Sequence, residues 1–298
     1  MTCRSMGKLL TASLAMLLLS VGAAGAGRVV SCGESWSGSA ELAGDCSGDL
    51  LIRGGSLNLR GFTVSGSVRC AGDACEIYSE PPQGTLYGSG DGASTGIDAG
   101  EGTVTLRSIV ITGFGTGVKA GRVTATDVVV IGNAGHGIRA TDWISVRDCN
   151  ISLNGHDGLH ARLGRIDVRR CEFLVNRGRG IRALKGVELV DTEVAGSGGS
   201  GVVNFAGLVL LDHTMITGNA GDGVRTDDSD CFPTGVLEIR ESTIAGNAQG
   251  SECGEERACA DLVSCQIARL GAASYCETSY RIQSGLPGQN WRICSEDR

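Results

Sequence analysis

The stretch 133–161 reads NAGHGIRATDWISVRDCNISLNGHDGLHA, and it contains one full repeat and the start of the next. In this stretch an Asn is followed four residues later by a Gly, then by an aliphatic residue, and two places after that by a small residue. That glycine returns every 20 to 22 residues, at Gly96, Gly117, Gly137, Gly158, Gly180, Gly201 and Gly223. A fixed period of this length is typical of a solenoid, in which each repeat buries its apolar side against its neighbours.

Two pairs of mostly apolar residues at spacing two follow each glycine. In one repeat these pairs are Ile144 with Val146 and Cys149 with Ile151. Spacing two is the pattern of a strand with one side chain facing in and the next facing out. Three short strands in about 21 residues leave no room for a helix, so each repeat is predicted to be one coil of a parallel β-helix.

The third corner of each coil has an Asn in nearly every repeat. From residue 133 onward these residues are Asn133, Asn154, Asn176, Asn219 and Asn247, with Ser197 filling the gap between Asn176 and Asn219. Asn accepts left-handed backbone more readily than most residues, and its amide can bond to an Asn stacked one coil away. We expect an Asn ladder at this corner, with left-handed backbone at the Asn or at the glycine that follows it.

The repeat resembles that of the right-handed parallel β-helix proteins of the pectin-lyase-like superfamily. The clearest matches are 133–138 (NAGHGI), 154–159 (NGHDGL) and 219–224 (NAGDGV), and the likeness covers roughly residues 50–250. It implies an all-β fold with a right-handed helix, the hand also following the general rule for parallel crossovers. With the repeat period and the cysteines, the prediction is a single right-handed parallel β-helix of about nine coils with disulfide-rich caps. The superfamily includes lyases, hydrolases, epimerases, esterases and adhesins, so the likeness specifies a fold strongly and a reaction weakly.

The chain divides into four parts. Residues 1–26 have a basic start, an apolar stretch over 9–21 and a small-residue cleavage site at 24–26, which predicts a signal peptide, with an uncleaved anchor as the alternative. We expect an N-terminal cap over 27–49, the β-helix over 50–250, and a Cys-rich C-terminal cap over 251–298. Insertions near 81–82 and at 227–234 are expected to leave the coil at its corners as loops. The mature chain is expected to be secreted, periplasmic or cell-surface, without stable membrane insertion.

The cysteine count favours disulfides. Of 13 cysteines, Cys3 lies in the predicted signal, which leaves an even number in an exported chain. Cys32 and Cys46 bracket an N-terminal loop, and Cys276 and Cys294 lie in the predicted C-terminal cap, so these four are the disulfide candidates. Zinc is the alternative for the C-terminal cluster, but no C-x-x-C pair or accompanying His is found there.

Two further cysteines, Cys149 and Cys171, occupy the same inward position in consecutive coils. Their Cα atoms are expected to lie about 4.8 Å apart, which is within reach of a disulfide. Parallel strands in register rarely orient their Cβ atoms suitably for a bridge. A disulfide and a buried reduced pair therefore both remain open.

One outward position per coil forms a predicted column of mostly basic side chains. In coil order the column contains Arg69, Asp98, Lys119, Arg139, His160, Arg182, Val203 and Arg225. Arg forks suit carboxylates and sulfates, and neighbours about 4.8 Å apart are spaced comparably to the sugars of a polyuronate. The ligand-binding candidates are Arg69, Lys119, Arg139, His160, Arg182 and Arg225. The alternative is an ordinary solvated strand face whose charges form weak pairs with acidic residues at neighbouring corners.

His160 is the one catalytic candidate, because the column places it between Arg139 and Arg182. A uronate lyase needs a group that neutralises the substrate carboxylate and a base near the C5 proton. Calcium-dependent lyases of this fold bring several acidic ligands together, whereas only Asp98 stands on the column. We therefore assign no metal ligands and no cofactor from the sequence. His136 lies in a Gly-His-Gly tripeptide that also occurs in polygalacturonases, but the paired Asp residues and the Arg-x-Lys of those enzymes are absent from matching coils. His136, His156 and His213 are therefore interpreted as chance occupants of variable turns.

These observations leave three hypotheses for function. The first is a non-catalytic secreted protein, expected to be a monomer, that binds acidic polysaccharide or a cell-surface glycan. The second is a polysaccharide lyase acting on uronate polymers, or a related carbohydrate-active enzyme. The third is a structural surface protein without a specific ligand. The formal net charge of −7 argues against nucleic acid as a partner.

Overall fold

A computed structural model describes residues 28–226, 236–247, 262–264 and 280–282, and every regular element in these ranges is a β-strand. The strands are β1 (Arg28–Val30), β2 (Ser35–Leu42), β3 (Cys46–Ser47), β4 (Leu50–Asn58), β5 (Thr63–Ser65), β6 (Val68–Cys70), β7 (Ala74–Tyr78), β8 (Gly84–Tyr87), β9 (Thr95–Asp98), β10 (Thr103–Thr112), β11 (Thr116–Ile131), β12 (Ile138–Arg147), β13 (Asn150–Ser152), β14 (Leu159–Ala161), β15 (Arg165–Arg169), β16 (Glu172–Leu174), β17 (Ile181–Ala183), β18 (Gly186–Val190), β19 (Glu193–Ala195), β20 (Val202–Asn204), β21 (Leu208–Asp212), β22 (Met215–Thr217), β23 (Val224–Thr226), β24 (Val236–Arg240), β25 (Thr243–Ala245), β26 (Leu262–Ser264) and β27 (Tyr280–Ile282).

The predicted signal peptide, the 227–234 insertion, and Cys276 and Cys294 lie outside the described residues. Within those that are described, no helix is long and apolar enough to cross a membrane. Strand pairing reaches back to β1, since Arg28 pairs with Ala40 and Ser35 with Leu51.

The strands stack in parallel, one coil upon the next, and form three faces; β27 is the exception and pairs antiparallel with β24. On the first face Ile138 pairs with Val118 on one side and with Leu159 on the other. The second face runs from β7 through the start of β10 to β15 and onward, and the third from β5 and β8 to β13 and onward. Each residue therefore lies beside its counterpart one repeat away, which confirms the all-β parallel β-helix of about nine turns predicted from the period.

The core is a set of vertical aliphatic stacks. The residue after the repeat glycine is fully buried in each described coil, as at Ile97, Val118, Ile138, Leu159 and Ile181, all 0% exposed. Each such side chain contributes about 1.5–3 kcal/mol relative to an exposed one. Because contacts are made mainly with adjacent coils, this stability accumulates along the rod.

The Asn ladder predicted at the third corner is present. Asn154 donates from Nδ2 to the Val130 carbonyl at 3.1 Å and to Oδ1 of Asn176 at 3.0 Å. Its backbone N–H also donates to Oδ1 of Asn176, and Asn133 uses Asn154 in the same way. These buried amides provide hydrogen-bond partners for backbone N–H and C=O groups at the corner, where the chain is not part of a strand.

The expectation of left-handed backbone at the Asn or the glycine after it is wrong. The positive φ values lie one residue before the Asn, as at Gly132 (66°), Leu153 (56°) and Val175 (56°). The chain turns there, so that the next side chain faces inward, where its amide reaches the stacked Asn. Position 155 requires glycine for a different reason: a Cβ there would lie 1.9 Å from the Ala134 carbonyl oxygen.

The repeat glycine itself is required by close packing. A Cβ on Gly137 would lie 2.8 Å from the Gly158 carbonyl oxygen and 2.9 Å from Nδ2 of Asn154. Both distances are shorter than ordinary van der Waals contact. The glycine period therefore leaves room for the Asn ladder and for the neighbouring coil.

Two disulfides staple the N-terminal coils. Cys32–Cys46 confirms the N-terminal pair, with Cα atoms 5.5 Å apart. Cys70–Cys75, with Cα atoms 6.1 Å apart, was not predicted. The sequence places these two residues on different faces, and only the tight turn between β6 and β7 brings them together.

Cys149 and Cys171 are free thiols, which resolves the alternatives left open for them. Each thiol donates to the carbonyl two residues earlier, Cys149 to Arg147 at 3.0 Å and Cys171 to Arg169 at 3.2 Å. Thr192, at the same coil position, makes the same bond from its hydroxyl. The hydrogen bond with Cys149, together with burial, raises the pKa of the Cys171 thiol, so it stays protonated at neutral pH.

The coil that contains the insertion near 81–82 is longer than the next coil, and its extra residues divide between two corners. Residues 79–83 stand between β7 and β8, where the next coil has only Ser108. Residues 88–94 stand between β8 and β9, where the next coil has only 113–115. The insertion expected near Pro81 and Pro82 is therefore only half of the excess, and the other half borders the site described next.

Candidate functional site

The six ligand-binding candidates lie in one column on the first face. Backbone pairing joins, in order, Arg69 with Asp98, Asp98 with Lys119, Lys119 with Arg139, Arg139 with His160, His160 with Arg182, Arg182 with Val203, and Val203 with Arg225. Successive members are neighbours across a parallel ladder, about 4.8 Å apart. Val203 interrupts the column as an outward residue that is nonetheless only 3% exposed.

Opposite charges neutralise this column only in part. Lys119 Nζ lies 3.8 Å from Oδ2 of Asp98, and Arg225 Nη1 lies 3.6 Å from Oδ2 of Asp222. Arg182 extends over the ring of Phe205, with its guanidinium carbon 5.5 Å from the ring centre.

Arg69 and Arg139 form no salt bridge within the part of the chain that the structure describes. Most arginines on the second face are paired, as Arg107 is with Glu76 at 2.6 Å and Arg169 with Glu188 at 2.7 Å. The charge pairing expected of a solvated surface is thus concentrated away from the middle of the first face.

Three histidines and one aspartate converge beside the column. The ring centre of His136 lies 5.0 Å from that of His160 and 5.3 Å from that of His156. Nδ1 of His136 is 3.8 Å from Oδ2 of Asp157. His213 lies apart from them, at another corner, between Asp212 and Glu241.

The sequence interpretation of His136 and His156 as isolated turn residues missed this cluster. The available signal was that His136 and Asp157 both directly precede a repeat glycine and therefore stack one coil apart. What the pattern did not indicate is that the His136 ring lies against His160, which belongs to the strand of the next coil. Side-chain direction at a corner is not set by the period.

Asp157 is held firmly. It is 3% exposed, and its Oδ1 accepts a hydrogen bond from the Arg179 backbone N–H at 2.9 Å. The Arg179 guanidinium lies 3.8 Å from the same oxygen. Its backbone is fixed as well, since the Gly137 N–H donates to the Asp157 carbonyl at 3.1 Å. Oδ2 is left directed towards His136.

The environment keeps the imidazoles of His136 and His160 neutral. Burial, helped by the adjacent His136, lowers the pKa of His160 to about 4. Burial also lowers the pKa of His136, although Asp157 acts in the opposite direction. In both rings Nδ1 is buried and makes no hydrogen bond to any described residue. Two neutral imidazoles, each with an unsatisfied buried nitrogen, therefore face a fixed carboxylate.

Two depressions adjoin the column. A cavity of about 350 Å³ lies beside the cluster and is lined by 92–95, 115–116, 134–136 and His156. Its outer wall includes part of the 88–94 insertion. A larger open groove of about 1020 Å³ lies over the N-terminal end of the column and includes Arg69, Asp98 and Lys119.

Comparison with known proteins identifies the fold and no more specific relative. The family model described as the right handed beta helix region matches residues 134–273. Neither the curated proteins nor the solved structures provide a match. The match includes the coils that carry Arg139, His160 and Arg182. Together with the parallel register, the match shows similarity to right-handed parallel β-helix proteins over these coils, with which the pectin-lyase-like superfamily is consistent.

Proposed function

We propose that this protein is a secreted β-helix that binds acidic polysaccharide along its first face. The observation that carries the proposal is the in-register column in which Arg139 and Arg182 flank His160 without a carboxylate partner on the column. Arginine forks bind carboxylates and sulfates with two parallel hydrogen bonds. A polymer with one acidic group per sugar offers such groups repeatedly along its length, as the column offers cations.

The shape of the first face supports an extended ligand. The open groove of about 1020 Å³ at the N-terminal end of the column is lined by Arg69 and Lys119, with Glu34, Asp49 and Asp98 also on its walls. Parallel strands give the cations a fixed rise of about 4.8 Å per coil, so a ligand need not reorganise the protein on binding. Binding to a preformed surface avoids most of the ordering cost.

Export is part of the same proposal. The pattern of residues 1–26 is that of a signal peptide, and disulfides form and persist mainly in oxidising compartments. Acidic polysaccharides occur in the extracellular setting that such a protein would meet.

The test is binding to pectate, alginate and sulfated glycosaminoglycans by calorimetry and by retention on immobilised polymer. The double variant Arg139→Ala/Arg182→Ala is expected to weaken binding at least tenfold, and binding should fall with salt. Arg107→Ala/Arg169→Ala is the matched control, because it removes the same two positive charges from the second face. Equal retention of the wild type and the double variant would contradict the proposal.

A lyase is the second candidate, and His160 is the observation that favours it. Its neutral imidazole lies between two arginines able to neutralise a uronate carboxylate, which are the two groups that proton abstraction at C5 requires. Formation of unsaturated uronate from any of these polymers, abolished in His160→Gln, would establish this activity. Binding without product in the wild type would eliminate it.

A further inference from the structure

We propose that His136, Asp157 and His160 form a binding site for a divalent transition-metal ion. One ligand atom from each of the three residues lies within 4.8 Å of the others. They come from two stacked corners and one strand, so the site exists only in the folded coil. The inference does not depend on the polysaccharide proposal, because it concerns a cation and shares only His160 with the side chains of that proposal.

The donor atoms select the class of ion. Two imidazole nitrogens and one carboxylate oxygen suit Zn²⁺, Ni²⁺, Co²⁺ or Cu²⁺. Ca²⁺ and Mg²⁺ prefer six or more oxygen ligands, and this cluster offers one carboxylate. Three protein ligands also leave at least one coordination position open for water or a small ligand.

The distances require little movement. A tetrahedral ion with bonds of about 2.0–2.1 Å brings its ligand atoms to within about 3.4 Å of one another. Nδ1 of His136 and Oδ2 of Asp157 are already 3.8 Å apart. The other ligand-atom distances are at most 4.8 Å and would close by rotation of the imidazoles.

The carboxylate is arranged as a ligand with outer-shell support. Oδ1 of Asp157 is occupied by the Arg179 N–H, which fixes the plane of the carboxylate and leaves Oδ2 for a cation. Metal-binding side chains in proteins are commonly held in this way by a second hydrogen bond. Asp157 is also 3% exposed, and its charge is compensated on the Oδ1 side, where the Arg179 guanidinium lies at 3.8 Å, while Oδ2 faces His136.

The two histidines supply an independent observation. Nδ1 of His136 and Nδ1 of His160 are both buried without a hydrogen-bond partner in the described part of the chain. A buried polar atom without a partner costs about 1–3 kcal/mol, so such atoms are rare in native structures. A cation coordinated through these nitrogens would give both of them a partner.

The surrounding charge sets the strength of binding. Arg139 and Arg182 neighbour His160 on the column, and both oppose a cation there. Asp157 is the one carboxylate in the cluster. We therefore expect weaker binding than in a structural zinc site, in the range that calorimetry measures directly.

The experiment uses full-length protein without a polyhistidine tag, stripped with chelator, and titrated with Zn²⁺ and with Co²⁺. Within the described residues the structure predicts one bound ion, with visible Co²⁺ absorption typical of N/O ligation. His160→Gln and Asp157→Asn are each expected to weaken binding at least tenfold. His213→Gln is the control, since His213 lies between Asp212 and Glu241 and is the competing surface site.

The outcomes separate clearly. Undiminished affinity in His160→Gln and Asp157→Asn, loss in His213→Gln, or no binding at millimolar metal would overturn the inference. If a variant fails to fold by circular dichroism, imidazole NMR of the wild type decides instead. Zn²⁺ should shift the resonances of His136 and His160 most among the four histidines, and a shift confined to His213 would refute the site.

Discussion

The break in the Asn ladder at Ser197 allows a sharp test of what holds the coils together. Asn154 links Asn133 below to Asn176 above, whereas the buried Oγ of Ser197 has no hydrogen-bond partner among the described residues. The Ser197 backbone N–H already donates to Oδ1 of Asn219 at 2.9 Å, so the backbone is in the ladder position. Ser197→Asn is therefore expected to stabilise the protein.

The size of the gain follows from the equivalent residue. Asn154 accepts from the backbone N–H and from Nδ2 of Asn133, and donates to Val130 and Asn176. Of these bonds an Asn at 197 would add about three, each contributing roughly 0.5–1.5 kcal/mol net. Fixing the side chain costs about 1 kcal/mol. The unfolding free energy should rise by roughly 1–2 kcal/mol.

Urea denaturation followed by circular dichroism measures the change, with the slope checked for constancy. Asn154→Ser is the matched reverse variant, because it opens the same gap in an intact part of the ladder. It should lower the unfolding free energy by roughly 2–4 kcal/mol, since the partners it leaves behind are buried. Destabilisation by Ser197→Asn together with a neutral Asn154→Ser would refute the reasoning.

Three further predictions follow from the coil geometry. Gly137→Ala should lower the unfolding free energy by roughly 2–4 kcal/mol, because its Cβ would press on the next coil, while Gly44→Ala, with nothing within 4 Å, should be nearly neutral in the same assay. The pKa of His160 is about 4 in the folded chain and about 6.5 in the unfolded chain. The unfolding free energy should therefore fall as the pH drops from 6.5 and level off below about 4. After allowance for solvent screening this amounts to about 1–2 kcal/mol, and imidazole NMR of chelator-stripped protein with a His160→Gln comparison of urea midpoints would check it. Cys149→Ser should change stability by less than about 1 kcal/mol, since the hydroxyl can donate to the Arg147 carbonyl as the thiol does; a large loss in the urea midpoint would contradict this.

The sequence was sufficient for the features that repeat. The pairing of Ile138 with Val118 and Leu159 follows from spacing alone, and so does the order of the basic column. The Asn ladder followed from a residue type recurring at a fixed offset. In each case a period in the chain becomes a stack in space, so position within the repeat is enough.

Features that occur only once could not be predicted from the repeat. The Cys70–Cys75 bridge depends on one turn, and the course of residues 88–94 depends on one insertion. The corner histidines were assigned to separate turns, because the repeat gives no information about where a corner side chain points. Their convergence is set by packing against the adjacent strand.

The amino-acid sequence by itself determined the winding of this protein: a glycine that leaves space, an inward aliphatic residue and an inward Asn recur at nearly constant intervals, and hydrophobic burial with ladder pairing then allows one register. Only the tertiary structure decided that His136, Asp157 and His160 meet. Their contacts cross between a corner of one coil and a strand of the next, where rotamers and burial, rather than period, fix the distances.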